Sequence, residues 1–411
     1  MVNSLHVIYI TLYLIGIAIA GYSLIHAFTL FFRFQSGVID TVGHRIIRDD
    51  FFIIEILPYG FSLFAVVSFV IYAIGFHYGW DLHDQSILNI VFLIAGLAAS
   101  VTIFLGFSNR IERPASIFTN FPDLLRYYAP VPVIVAITSF VLGRYPFFVS
   151  DDFGHLTIIN RIIESGSLSN PALYMPGDDW HTFFPWHATL ASIGLILGFG
   201  SLETFAAAKI FLSVTVVMSF MSFCGTVFRG EKRRNLYVLC SAIAYAFLTP
   251  AIYVFHGMGD YRGVTSILIF QAARIIWIAA VFRDTKTSHY VVFFFIILAA
   301  SLIHLMDVLI FLMMFFPYLL YLNIRAKNKG TVFTLFFLGG STVSVALIIK
   351  AAFYSSVSSM RLDYSPIDII PYLKHYVSRV DFEYGIPLLL LTVAAPLFLT
   401  QLRTRSPALL Y

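Results

Sequence analysis

Charge is what this sequence has least of. Asp, Glu, Lys and Arg make up 12% of its 411 residues, roughly half the share of an ordinary soluble domain. A water-soluble fold is thereby excluded, because hydrophobic residues reach 59% and mean hydropathy is +0.86, more apolar surface than such a fold could hide. Cysteine is nearly absent. Cys224 and Cys240 stand alone, so neither a disulfide framework nor a Cys-based metal site is supported, and both read as small buried apolar residues. A surplus of one sign is missing as well: the formal net charge is +4, which gives no reason to expect nucleic-acid binding. No Lys or Arg precedes the first apolar run at 7–32 and no small-residue cleavage site follows it. That run is therefore expected to be kept as a span rather than removed as a signal peptide.

What the sequence does have is long apolar runs, at 7–32, 51–76, 86–107, 127–143, 184–199, 203–227, 235–254, 264–282, 287–303, 305–323, 331–352 and 385–402. Such lengths suit helices crossing roughly 30 Å of hydrocarbon and are far too long for barrel strands. The fold class is therefore all-α, a polytopic transmembrane helical bundle. Basic residues gather at 33–48, 110–126, 229–234, 283–286, 325–329 and 403–405, and these segments belong on the cytoplasmic side. With the N-terminus outside, they all fall inside only if one of the runs 184–199 and 203–227 fails to cross. The segment at 184–199 is the shorter, carries Pro185 near its start and runs into Gly-Phe-Gly, so it is the one expected to be interfacial or re-entrant. About eleven spans remain, with the C-terminus inside. Residues 1–126 form N-terminal accessory helices and 127–411 the main membrane module, with a long external loop at 144–202 carrying amphipathic and interfacial helices. The two runs at 287–303 and 305–323 share a very short turn near His304 and Asp307.

Polar chemistry concentrates on the expected external side. In Phe-Val-Ser-Asp-Asp-Phe-Gly-His, residues 148–155, Asp151 and His155 are four apart and share a helical face. One of Asp151 and Asp152 then suits a general base whose carboxyl is raised by partial desolvation. Ser150 or Asp151 acting as a helix cap would account for one of the two acids but not for both. Asp178, Asp179, His181 and His187 could ligate a divalent cation such as Mg or Mn, or be solvated loop residues. Trp180, Phe183, Phe184 and Trp186 suit an interfacial aromatic belt. Lys209 sits inside an apolar run, where it could snorkel to the surface or hold an anionic head group. His256, Asp260 and Arg262 line the same cavity or form a glycine-rich turn. His304 belongs to the bundle interior or the outer surface, because an ionisable group facing lipid is expensive.

A span, an acidic pair, a short helix, Asn-Pro, an aromatic segment and a further short helix ending in Gly together resemble the first external loop of the GT-C superfamily of membrane glycosyltransferases. The stretch from Phe205 through Ala206, Ala207 and Ala208 to Lys209 is similar to the place where many of these enzymes carry a basic residue. The resemblance covers mainly residues 127–235. It implies transfer of a sugar from a polyprenyl-phosphate carrier to a glycan, lipid or protein acceptor at the non-cytoplasmic face of a plasma membrane, with inversion. Asp151 or Asp152 would deprotonate the acceptor hydroxyl, and Lys209, helped by Arg262, would stabilise the phosphate leaving group. A transporter or flippase is the alternative, in which the same intramembrane charges line a pathway.

Overall fold

A computed structural model describes residues 4–36, 52–108, 126–141, 150–166, 184–229, 231–252, 261–279, 287–326 and 329–358. Among them the protein is helical throughout, with no strand: α1 Ser4–Ser36, α2 Phe52–Tyr78, α3 Leu82–Ser108, α4 Pro130–Val141, α5 Ser150–Ser165, α6 Phe184–Leu197, α7 Ser201–Val227, α8 Arg234–Ile252, α9 Tyr261–Trp277, α10 Thr287–Ala326 and α11 Lys329–Ser358. Among the described residues four segments are long and apolar enough to cross a membrane: Ser4–Ile25, Leu57–Gly75, Leu82–Val101 and Ser201–Val227. Shorter apolar helices surround them. These are the lengths and compositions of a helical membrane protein.

One end of the bundle is defined by three helix stops. Gly79, Gly166 and Gly198 follow α2, α5 and α6 with φ of 70°, 63° and 70°, the left-handed geometry that ends a helix without a Cβ clash. The Leu82 N–H donates to the Gly166 carbonyl at 2.8 Å, joining the α2–α3 turn to the end of α5. Phe199, in the α6–α7 turn, packs on His6 with ring centroids 4.3 Å apart. The starts of α1, α3 and α7 and the ends of α2, α5 and α6 therefore meet at one end. These are the N-terminal, 77–84 and 198–200 segments that the basic-residue pattern groups on one side.

Small residues bring α1 against both of its neighbours. A Cβ placed on Gly60 would overlap the Ala18 backbone, one on Gly21 the Gly60 backbone, and one on Gly96 would strike Ala20. With no side chains between them, α1 sits against α2 and α3 at backbone distance, the close approach that small residues permit in membrane helices. These N-terminal helices are not set apart: α1 and α2 also pack on α6 and α7, α2 packs on α9 and α10, and all share one apolar core with the later helices. A second core joins α4 and α8 to α7 through Val131, Val135, Val217, Met221, Val238 and Ala242.

The helix α10 is a hairpin rather than a rod. His304 has φ −145° and ψ 93°, outside the helical region. Phe293 and Leu312 both lie within 3.5 Å of the point where Gly339 would carry a Cβ. Their side chains are thus within about 7 Å of one another, whereas a straight helix would separate them by roughly 28 Å. The expected short turn near His304 is present.

The expected external loop is more deeply set than a loop. The helix α4 packs along α7 at Val217 to Cys224. The helix α5 lies alongside the other half of α7, with Asn160 accepting from Ser201 at 3.0 Å. Residues 186–194 of α6 are all buried, and α6 touches α1, α2, α3, α5 and α7. A helix lying in an interface would keep one face open, so α6 is a wedge enclosed by protein. Trp186 is in the core and not in an interfacial belt. Of the two cysteines, Cys224 is buried as anticipated and Cys240 is exposed.

Candidate functional site

The wedge places two histidines against each other. The helices α5 and α6 run parallel, His155 meeting His187 and Ile163 meeting Gly194, while α7 runs antiparallel to both. The His155 Nδ1 and His187 Nε2 atoms are 2.9 Å apart, in residues 6% and 0% exposed. The ring centroids are 5.1 Å apart. Two imidazoles joined head-on by a hydrogen bond of this length would place their centroids about 5.2 Å apart. Two ligating one ion at about 2.1 Å with tetrahedral angles would hold their nitrogens about 3.4 Å apart. The geometry is that of a direct N–H···N hydrogen bond. It needs one proton between the two nitrogens and has no room for two.

Phe205 and Lys209 complete the group. The His155 and Phe205 ring centroids are 6.5 Å apart. One turn further along α7, the Lys209 Nζ lies 5.9 Å from the Phe205 centroid, within cation–π range. Lys209 is 1% exposed and among the largest fully buried side chains. The ammonium does not snorkel to the surface; protein encloses it. At 1.5 Å per residue, His187 and His155 each lie about 15 Å from the glycine-end termini of their helices and Lys209 about 12 Å from the start of its own. His155 and His187 are level with Phe205, and Lys209 stands one turn further from the glycine end, all of them well inside the bundle.

Asp151 and Asp152 occupy the first turn of α5, one turn beyond His155. Since His155 is level with Phe205, that turn is level with Lys209; the two side chains lie outside the described residues. Asp178, Asp179, His181, His256 and Asp260 also lie outside them. Arg262 is in the first turn of α9, with its side chain outside the description. His304 stands apart, its Nδ1 3.0 Å from the Asp307 carboxylate at the hairpin bend, with the ring buried. Of the residues singled out by sequence, the structure thus brings together His155, His187 and Lys209. The structure gives His187 Nε2 a partner in His155, while Asp178, Asp179 and His181 of the expected cation set lie outside the described residues. Among the described residues no cluster of three or more His, Cys, Asp or Glu side chains is placed to hold a metal.

One polar contact beside this group escaped the sequence. Gln85 Nε2 donates to Asn89 Oδ1 at 3.4 Å, and Asn89 Nδ2 donates to Ser192 Oγ on α6 at 3.1 Å, all of them buried. Two amides four residues apart at the start of an apolar run were the signal available. The chain matches no family model, and comparison with curated proteins and with solved structures finds no relative of it in sequence or in fold.

Proposed function

We propose that this chain is a GT-C-type glycosyltransferase of about eleven spans, using a polyprenyl-phosphate-linked sugar at the non-cytoplasmic face. The observation that carries the reading is the enclosed Lys209, level with the first turn of α5 where Asp151 and Asp152 lie. A cation kept at that depth suits a phosphate, whose charge grows as it leaves. In the proposed step the acceptor hydroxyl oxygen bonds to the anomeric carbon and the carbon–oxygen bond to phosphate breaks. The phosphate departs with the electron pair, and Asp151 or Asp152 takes the hydroxyl proton. Attack opposite the leaving group inverts the anomeric centre. The basic segments put the glycine end outside.

The test is transfer in proteoliposomes supplied with polyprenyl-phosphate hexose or pentose. Asp151→Asn or Asp152→Asn should lower turnover by about 100-fold or more, with helicity and yield unchanged. Normal turnover in both variants would sink the proposal. A second reading, transport of a lipid or polar solute, is favoured by one feature: α5 and α6 start side by side within the bundle, as interrupted helices do at transporter sites. Substrate counterflow across the same vesicles, lost in Lys209→Met and absent from empty liposomes, would favour it over transfer.

A further inference from the structure

The helix α6 is held from two sides, and a polar contact is found on each. His187 faces α5 and bonds His155; Ser192, five residues on, is turned about 140° away at 3.6 residues per turn and bonds Asn89 of α3. The other residues buried along it, Trp186, Ala188, Leu190, Ala191, Ile193 and Gly194, are apolar or small apart from Thr189. Packing and interhelical hydrogen bonds together hold helices within a membrane, and the hydrogen bonds of α6 are its most directional contacts. The lever is short: at a side-chain radius near 6 Å, a 20° rotation of α6 moves a side-chain tip by about 2 Å. That movement is enough to break the 2.9 Å contact between the histidines. The Asn89 amide is itself oriented, because Gln85 donates to its oxygen and leaves its nitrogen as the donor to Ser192.

We propose that Asn89 is a positioning residue for the candidate site: its hydrogen bond to Ser192 sets the rotation of α6 and thereby the His155–His187 bond. The N-terminal helices then supply part of the site's frame. The proposal deepens the proposed function by adding to the same site, but the hydrogen bond between the histidines can be observed without any activity. Failure of the glycosyltransferase reading therefore leaves it testable.

The experiment is solid-state NMR of the full chain in lipid, with 15N-labelled histidine. The ring N–H proton of the bonded pair is identified by its loss in His187→Gln. Asn89→Leu should abolish or broaden that resonance while helicity and the remaining histidine signals persist. Ser192→Ala breaks the same bond from the other partner with a smaller change of volume, and it should give the same loss even if Asn89→Leu fails to fold. Ser100→Ala is the control, since it removes the 2.6 Å contact between Ser23 and Ser100 that joins α1 to α3 without touching α6. It should leave the resonance in place. Persistence of the signal in Ser192→Ala, or its loss in Ser100→Ala as well, would overturn the proposal: the first shows the bond to be unnecessary, the second shows general loosening.

Discussion

Lys209 has the least ordinary position of any single residue here, because a wholly buried ammonium must be held against the cost of leaving water. If the lysine served only to hold the fold together, an apolar substitute of similar length would cost stability. If it is kept for a ligand as well, the substitute should cost turnover out of proportion to any cost in stability. Lys209→Met is therefore expected to lose turnover by about 100-fold or more while keeping a cooperative melting transition in detergent, as read by a melting curve and a transfer assay on one preparation. A lower melting temperature with turnover retained would contradict it. His187 makes the opposite case. Removing one partner of a buried hydrogen bond leaves the other stranded, so His187→Ala should lower stability by about 1–3 kcal/mol, measured by denaturant unfolding in detergent.

Helices rather than residues decide how the N-terminal part holds. Between α1, α2 and α3 the glycines at 21, 60 and 96 let backbones touch, and the neighbour each would strike is largely backbone, which cannot step aside. Gly60→Val should cost about 1–3 kcal/mol or more through overpacking, whereas the same change at Gly340, where a Cβ meets open space, should cost far less. Thermal scans of the two variants in detergent check the difference. These elements were legible in the sequence because runs of twenty apolar residues have one reading in a membrane, and the Gly-Phe-Gly at 198–200 announced the end of α6. What could not be read was depth. The residues of α5 are amphipathic enough for an interface, and nothing local says that α3 and α7 will close over α6. Burial of Trp186 and His187 is a property of the assembled bundle. The pairing of His155 with His187, 32 residues apart, was illegible for the same reason, although both histidines were picked out singly.

At the scale of the whole molecule, sidedness and site location are coupled. The end where Gly79, Gly166 and Gly198 stop their helices is opposite the end where Arg234 Nε donates to the Gly225 carbonyl and Arg274 Nε to Thr226 Oγ1, at 2.9 and 3.0 Å. Basic side chains collect at the second end, and the rule that such residues stay in the cytoplasm then puts the first end outside. The two ends were assigned to opposite sides by counting charges, and the fold separates them by the length of α7, about 40 Å at 1.5 Å per residue. The consequence can be measured with single cysteines in a chain carrying Cys224→Ala and Cys240→Ser. Asp81→Cys and Glu164→Cys lie exposed near the glycine end, and Lys232→Cys lies exposed at the other. A membrane-impermeant maleimide added to intact cells should label the first two and reach the third only after permeabilisation. Labelling of Lys232→Cys alone would invert the molecule and put Lys209 nearer the cytoplasmic face, whereas labelling of Asp81→Cys without Glu164→Cys would mean that α5 does not end beside the α2–α3 turn.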